Sequence, residues 1–202
     1  MKKLLRQLLT ANGLQVSRIS ETIVLPKPHP GPTTFHCRGI DWGIEHAERF
    51  IEGPLRVYEA EYNTFSNEGS PNGNNYYSDN PFFGFADAAV CYSFVRDFRP
   101  SVVVEVGSGF SSRVIRAGLD KNETGRLVCI DPEPRVGVAS VAHEYKCAYV
   151  ETISVDWFRE LPADTILFID SSHRMGVGSD VNFLFLEVLP ELKPGTIVHV
   201  HD

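Results

Sequence analysis

The chain has 202 residues, of which 43% are hydrophobic and 22% charged, and a formal net charge of −7 at pH 7. That length suits one domain with an extension. The acidic balance argues against a broad nucleic-acid surface, because phosphate binding needs a basic footprint, and no stretch approaches the ~20 apolar residues of a membrane span.

Residues 1–14 place Leu4, Leu5, Leu8 and Leu9 at helical spacing, with Lys2, Lys3 and Arg6 among them. The pattern predicts a short amphipathic helix that packs on the protein, with peripheral contact to a membrane surface as the alternative. Four cysteines (Cys37, Cys91, Cys129, Cys147) show no CxxC pair or metal-type spacing. Cys129 and Cys147 fall in apolar runs and are expected as small buried thiols, which points to a reducing, cytoplasmic compartment. Pro26, Pro28, Pro30 and Pro32 forbid a long helix around them. Residues 62–81 are rich in Asn, Gly and Ser and read as a long surface loop, disordered or serving as a lid. A helix through Phe85, Ala89, Tyr92 and Phe94 must stop by Arg99, because Pro100 follows.

From residue 101 a regular alternation begins. Strands are expected over 101–107, 126–131, 146–155, 165–170 and 196–202, with helices after the first (within 111–122), after the second (134–145) and within 179–192. Such alternation predicts an α/β domain, a Rossmann-like parallel sheet with helices on both faces. The division is 1–75, an N-terminal helix with an irregular or lid region, and 76–202, the sheet domain.

In such sheets ligands bind outside the carboxyl ends of the strands. An acid is expected at or near each end: Glu105, Asp131, Asp156, Asp170 and Asp202. The stretch from Glu105 to Ser112 joins the first strand to its helix, and Gly107 and Gly109 allow a tight turn close to a ligand. A dinucleotide fingerprint would want a third glycine where Ser112 stands. Asp131 ends the second strand at the place where an acid accepts hydrogen bonds from ribose hydroxyls. A nucleoside-bearing cofactor is therefore expected, either a nicotinamide dinucleotide or S-adenosylmethionine. His199 is expected as a packed core residue.

Four stretches in order, VVVEVGSGFSS, LVCIDPEP, ILFIDSSH and LPELKPGTIVHVHD, resemble the signature stretches of class I S-adenosylmethionine-dependent methyltransferases. The likeness covers about residues 76–202 and leans toward a branch acting on sugars and other small metabolites. It implies that Glu105, Gly107, Ser108 and Gly109 hold the methionine part of the cofactor and that Asp131 holds the ribose. Val155 or Asp156 would lie near the adenine, and Asp170 beside the sulfonium. Asp170-Ser171-Ser172-His173 matches the Asp-x-x-His pattern of metal-assisted sugar methyltransferases, where the Asp binds magnesium and the His is the base. Those enzymes complete the metal site with two adjacent acids after the fifth strand. Here His201 and Asp202 stand there, and imidazole is a poor partner for magnesium.

The resemblance also implies a further helix and an antiparallel strand pair after the fifth strand, which this sequence lacks. The bare fifth strand marks a candidate edge for homo-oligomer formation. The expected function is methyl transfer from S-adenosylmethionine to a small-molecule acceptor such as a sugar hydroxyl. A nicotinamide-dependent oxidoreductase and a non-catalytic nucleoside-binding module are the alternatives.

Overall fold

The computed structural model describes residues 41, 43–69, 75–134 and 137–201, and residues 43–202 form one compact unit. The expected N-terminal amphipathic helix, Cys37, the proline cluster and Asp202 lie outside the described residues. Five strands make one parallel sheet: β1 (Val102–Val106), β2 (Arg126–Ile130), β3 (Glu144–Lys146), β4 (Thr165–Ile169) and β5 (Ile197–Val200), in the order β3-β2-β1-β4-β5. The order reverses between β1 and β4, so the connections after these two strands depart in opposite directions. A crevice opens at that point.

β1 and β4 are buried along their whole length, as continuous apolar runs in a sheet covered on both faces must be. One face joins Val103, Leu127, Cys129, Ile166 and Phe168 to the helices α3 (Phe85–Phe98) and α4 (Phe110–Asn122). The other joins Val104, Val106, Ile130, Leu167 and Ile169 to α5 (Val155–Arg159) and to a helical run opened by α6 (Asp180–Asn182), which buries Leu184 and Val188. Each such side chain contributes about 1.5–3 kcal/mol. The expected Rossmann-like α/β fold is what the chain adopts. Helix α3 ends as expected at Arg99, which turns left-handed (φ 50°) before Pro100.

Three local expectations are corrected. The third strand is not 146–155 but Glu144–Lys146; beyond it Val150, Ile153, Trp157 and Phe158 pack inward at helical spacing, across a 3₁₀ turn and α5. With the strand ending early, Cys147 is exposed, whereas Cys91 and Cys129 are buried. The helix expected over 134–145 is, among the described residues, a single 3₁₀ turn at Val138–Ser140. There Val138 and Val141 anchor the chain in the core, and His143 accepts the Leu127 amide through Nδ1 at 2.9 Å.

The described parts of the 62–81 stretch are packed rather than loose. Tyr62 and Tyr76 are buried, Phe65 meets Tyr76 and Tyr92 edge-on, and Tyr76 donates its hydroxyl to the Phe83 carbonyl at 2.8 Å. Before it, helix α1 (Ile44–Phe50) runs on through a π-helical turn containing Pro54, and α2 (Glu59–Tyr62) follows.

Helices α2, α3 and α4 meet at Arg96. Its guanidinium donates to both oxygens of Glu61 (2.8 and 3.0 Å) and to Asn122, and Tyr92 donates to the same carboxylate at 2.6 Å. The Arg96 side chain is only 13% exposed, so its charge depends on these partners. Glu61→Ala is expected to lower stability by about 1–3 kcal/mol, the scale for a lost hydrogen bond to a buried charge. Urea denaturation of the two proteins measures it, and equal midpoints would remove the tie from the account.

Candidate active site

The turn after β1 is built on backbone. Gly107 donates its N–H to the Ile130 carbonyl at 3.0 Å and adopts φ 81°, and a Cβ placed on it would stand 1.9 Å from the Asp170 carbonyl oxygen. No side chain fits there. Gly109 is different: its backbone is extended (φ 174°), and a Cβ there would meet nothing within 4 Å. The first glycine lets β1 and β4 part at close quarters, and the second leaves open space at the entry to α4.

Asp131 directly follows β2 and faces this turn. Its Oδ2 accepts both the N–H and the hydroxyl of Ser108 (2.8 and 2.7 Å), and Oδ1 accepts the Glu133 N–H at 2.8 Å. A carboxylate offers about four lone-pair sites, so three donors leave room for about one more. The Ser108 hydroxyl can rotate away and free a second.

Glu105, expected near a strand end on the rim, lies inside β1 and is 0% exposed. Its carboxylate accepts from Ser111 Oγ (2.6 Å), Ser112 Oγ (2.5 Å) and Cys129 Sγ (3.1 Å). Burial pushes its pKa up to about 7 against the pull of these hydrogen bonds. The expected ring of five acids is therefore smaller. Asp131 and Asp170 follow their strands directly, whereas Asp156 stands in the first turn of α5, ion-paired with Arg159 and 71% exposed. Val155 opens the same helix, well beyond the end of β3.

On the other side of the crevice Asp170 gathers two imidazoles. His173 Nε2 lies 3.2 Å and His201 Nδ1 3.6 Å from Asp170 Oδ1. His173 holds a left-handed backbone (φ 56°), a conformation of modest cost to which His is better suited than most residues. His201 is almost enclosed, 5.0 Å from the Phe83 ring, and its Nε2 faces Asp87 of α3 at 3.9 Å. The sequence reading missed Asp87, which is remote in sequence and looks like an ordinary acid in the first turn of a helix. His199, as expected, is packed, 4.6 Å from the Phe168 ring, and burial lowers its pKa.

Among the described residues no group of three or more His, Cys, Asp or Glu side chains is arranged to hold a metal ion. Asp170 and His201 come together, but the donor set does not suit magnesium. A cleft of about 470 Å³ on the flank of α4, lined by Phe65, Tyr76, Arg113, Arg116, Ala117 and Val141 among others, shares no residue with this rim. There Arg116 is taken up by Asp120 and the Val141 carbonyl, and Arg113 donates to the Asn75 carbonyl.

The fold and rim thus define a Rossmann-like α/β domain whose strand order reverses between β1 and β4. Residues 104–202, which include the glycine turn and the carboxyl ends of all five strands, match the family model described as a methyltransferase domain. No curated protein matches the chain. Among the described residues no helix is long and apolar enough to cross a membrane.

The Glu105 carboxyl makes stability depend on pH. Its pKa of about 7 lies above the ordinary 4.5, so between those values the folded protein keeps a proton that the unfolded chain has lost. Stability should fall as pH rises through this window and level off above it, by about 3 kcal/mol in all at 1.36 kcal/mol per unit. Glu105→Gln should remove that slope. Parallel slopes for the two proteins, measured by urea unfolding at about pH 5 and about pH 7.5, would show that another group carries it.

Proposed function

We propose that the domain transfers a methyl group from S-adenosylmethionine to a hydroxyl of a small molecule, a sugar among the candidates. The observation that carries this reading is the pairing of a glycine turn with Asp131 at the switch point, within the stretch matched by the methyltransferase family. Bound in the crevice, S-adenosylmethionine supplies an electrophilic methyl group on a sulfonium. The open space at Gly109 lets the cofactor approach the backbone. Asp131 holds the ribose, exchanging the Ser108 hydroxyl for a ribose hydroxyl at little net cost, and Val155 or Asp156 lies toward the adenine. Ser112, where a dinucleotide fingerprint wants glycine, is committed to Glu105 and to the Gly109 N–H, which disfavours the nicotinamide alternative.

Asp170 and His173 serve the acceptor. A hydroxyl loses its proton as it attacks, and the imidazole of His173 is a group that can receive it. Asp170, 3.2 Å from Nε2, orients the ring and favours the imidazolium that forms. The remaining work is positioning of acceptor oxygen against methyl group.

Calorimetry with S-adenosylhomocysteine and with NAD tests the cofactor, and only the first is expected to bind. Asp131→Ala should weaken that binding by about 1.5–3 kcal/mol, the scale for a hydrogen bond to a charged group; unchanged affinity would refute the ribose assignment. Screening of hydroxylated acceptors with methyl-labelled cofactor separates an enzyme from a binding module. On the best acceptor His173→Ala should slow turnover about 10²–10⁴-fold with cofactor affinity nearly unmoved. A variant of near-normal turnover would sink the base assignment.

A further inference from the structure

Glu105 sits where a carboxylate is costly to ionise, yet its surroundings are made of donors. Ser111, Ser112 and Cys129 all point a hydrogen at it, and Ser112 Oγ in turn accepts the Gly109 N–H at 3.0 Å. One hydrogen-bonded chain therefore runs from β2 through the carboxyl to the backbone of the glycine turn.

The titratable groups that face Glu105 are Cys129 from β2, Cys91 from α3 and Asp170 from β4. Burial, reinforced by the negative charge of Glu105, holds both thiols protonated well beyond neutrality. A proton on Glu105 must itself be donated, and the atoms in reach are the same two hydroxyl oxygens and the sulfur. Accepting it leaves one of their own hydrogens without a partner. Only the ionised carboxylate satisfies all three donors at once.

We propose that Glu105 is a proton-linked positioning residue: ionised, it holds Ser112 and through it the Gly109 N–H in the arrangement that receives S-adenosylmethionine, and binding of that cation expels the proton Glu105 otherwise carries. This rests on the cofactor reading above and replaces direct contact between Glu105 and the methionine part with action through Ser112. The ligand carries a sulfonium and an ammonium against one carboxylate, so its net positive charge favours the ionised form of a buried acid below the turn. The proton passes to the buffer, and no other bond changes.

The test is calorimetric titration with S-adenosylmethionine at about pH 6.5, in two buffers of different ionisation enthalpy, with affinities followed from about pH 6 to about pH 8. The native protein should release a fraction of a proton on binding. Its affinity should rise with pH by about tenfold for each unit by which binding lowers the Glu105 pKa. Glu105→Gln should bind with the same heat in both buffers and a flat affinity. Should that variant not fold, Ser112→Ala removes one donor to the carboxylate and should move the release to higher pH. Heats independent of buffer in the native protein, or release that persists in Glu105→Gln, would overturn the proposal while leaving the cofactor reading intact. Absence of binding at every pH would overturn both.

Discussion

The crevice depends on one close approach, Gly107 against the backbone of Asp170. β1 and β4 lie side by side, and the residue after β4 still donates to β1, from the Asp170 N–H to the Val106 carbonyl at 2.9 Å. The same ladder continues along the rim, from Gly107 to Ile130, from Asp131 to Lys146 and from His201 to Ile169. Each of these four strands thus leaves the sheet one residue late, and at Asp131, Asp170 and His201 a backbone bond fixes the first polar side chain at the edge. A side chain at 107 would push the exit of β4 outward and carry Asp170, His173 and His201 with it.

The two sides of the rim are prepared for different chemistry. Around β1 and β2 the groups are hydroxyls, backbone amides and a carboxylate, already engaged with one another, so a ligand there exchanges hydrogen bonds instead of creating them. Around β4 and β5 two imidazoles stand near two carboxylates, with His201 wedged against Phe83 and Phe168. Its distances of 3.6 and 3.9 Å to Asp170 and Asp87 are electrostatic contacts longer than hydrogen bonds. The first side suits recognition of a fixed partner, and the second suits proton movement.

Much of this was legible in the residues. The β-branched run 102–106, the glycine turn and the acids following β2 and β4 carry local signals that survive in the fold, because each is set by its own short stretch of chain. What failed is instructive in the same terms. The run 146–155 reads as a strand, but from Val150 to Phe158 the inward positions recur every three or four residues, and a short apolar run is ambiguous between the two periods. Asn, Ser and Gly in 62–81 masked four aromatic residues that decide its packing. Glu105, two residues before Gly107, reads as an acid near the end of its strand. Its serine and cysteine partners come from α4 and β2, and only the tertiary fold brings them within 3.1 Å. Asp87 gave no signal, since its meaning comes from a histidine more than a hundred residues away.

The Arg96 junction has a bearing on motion. One guanidinium serves α2, α3 and α4 together, lies over the Tyr58 ring at 5.0 Å, and has no alternative anions among its described partners. Segments joined this way do not fray one after another. Their amides should exchange with solvent as a single cooperative unit, at the free energy of opening the α3–α4 layer itself. Movement that admits a ligand to the crevice is then expected at the turns of its rim, where bonds such as those from Ser108 to Asp131 can be exchanged, while the helical layer behind them stays closed.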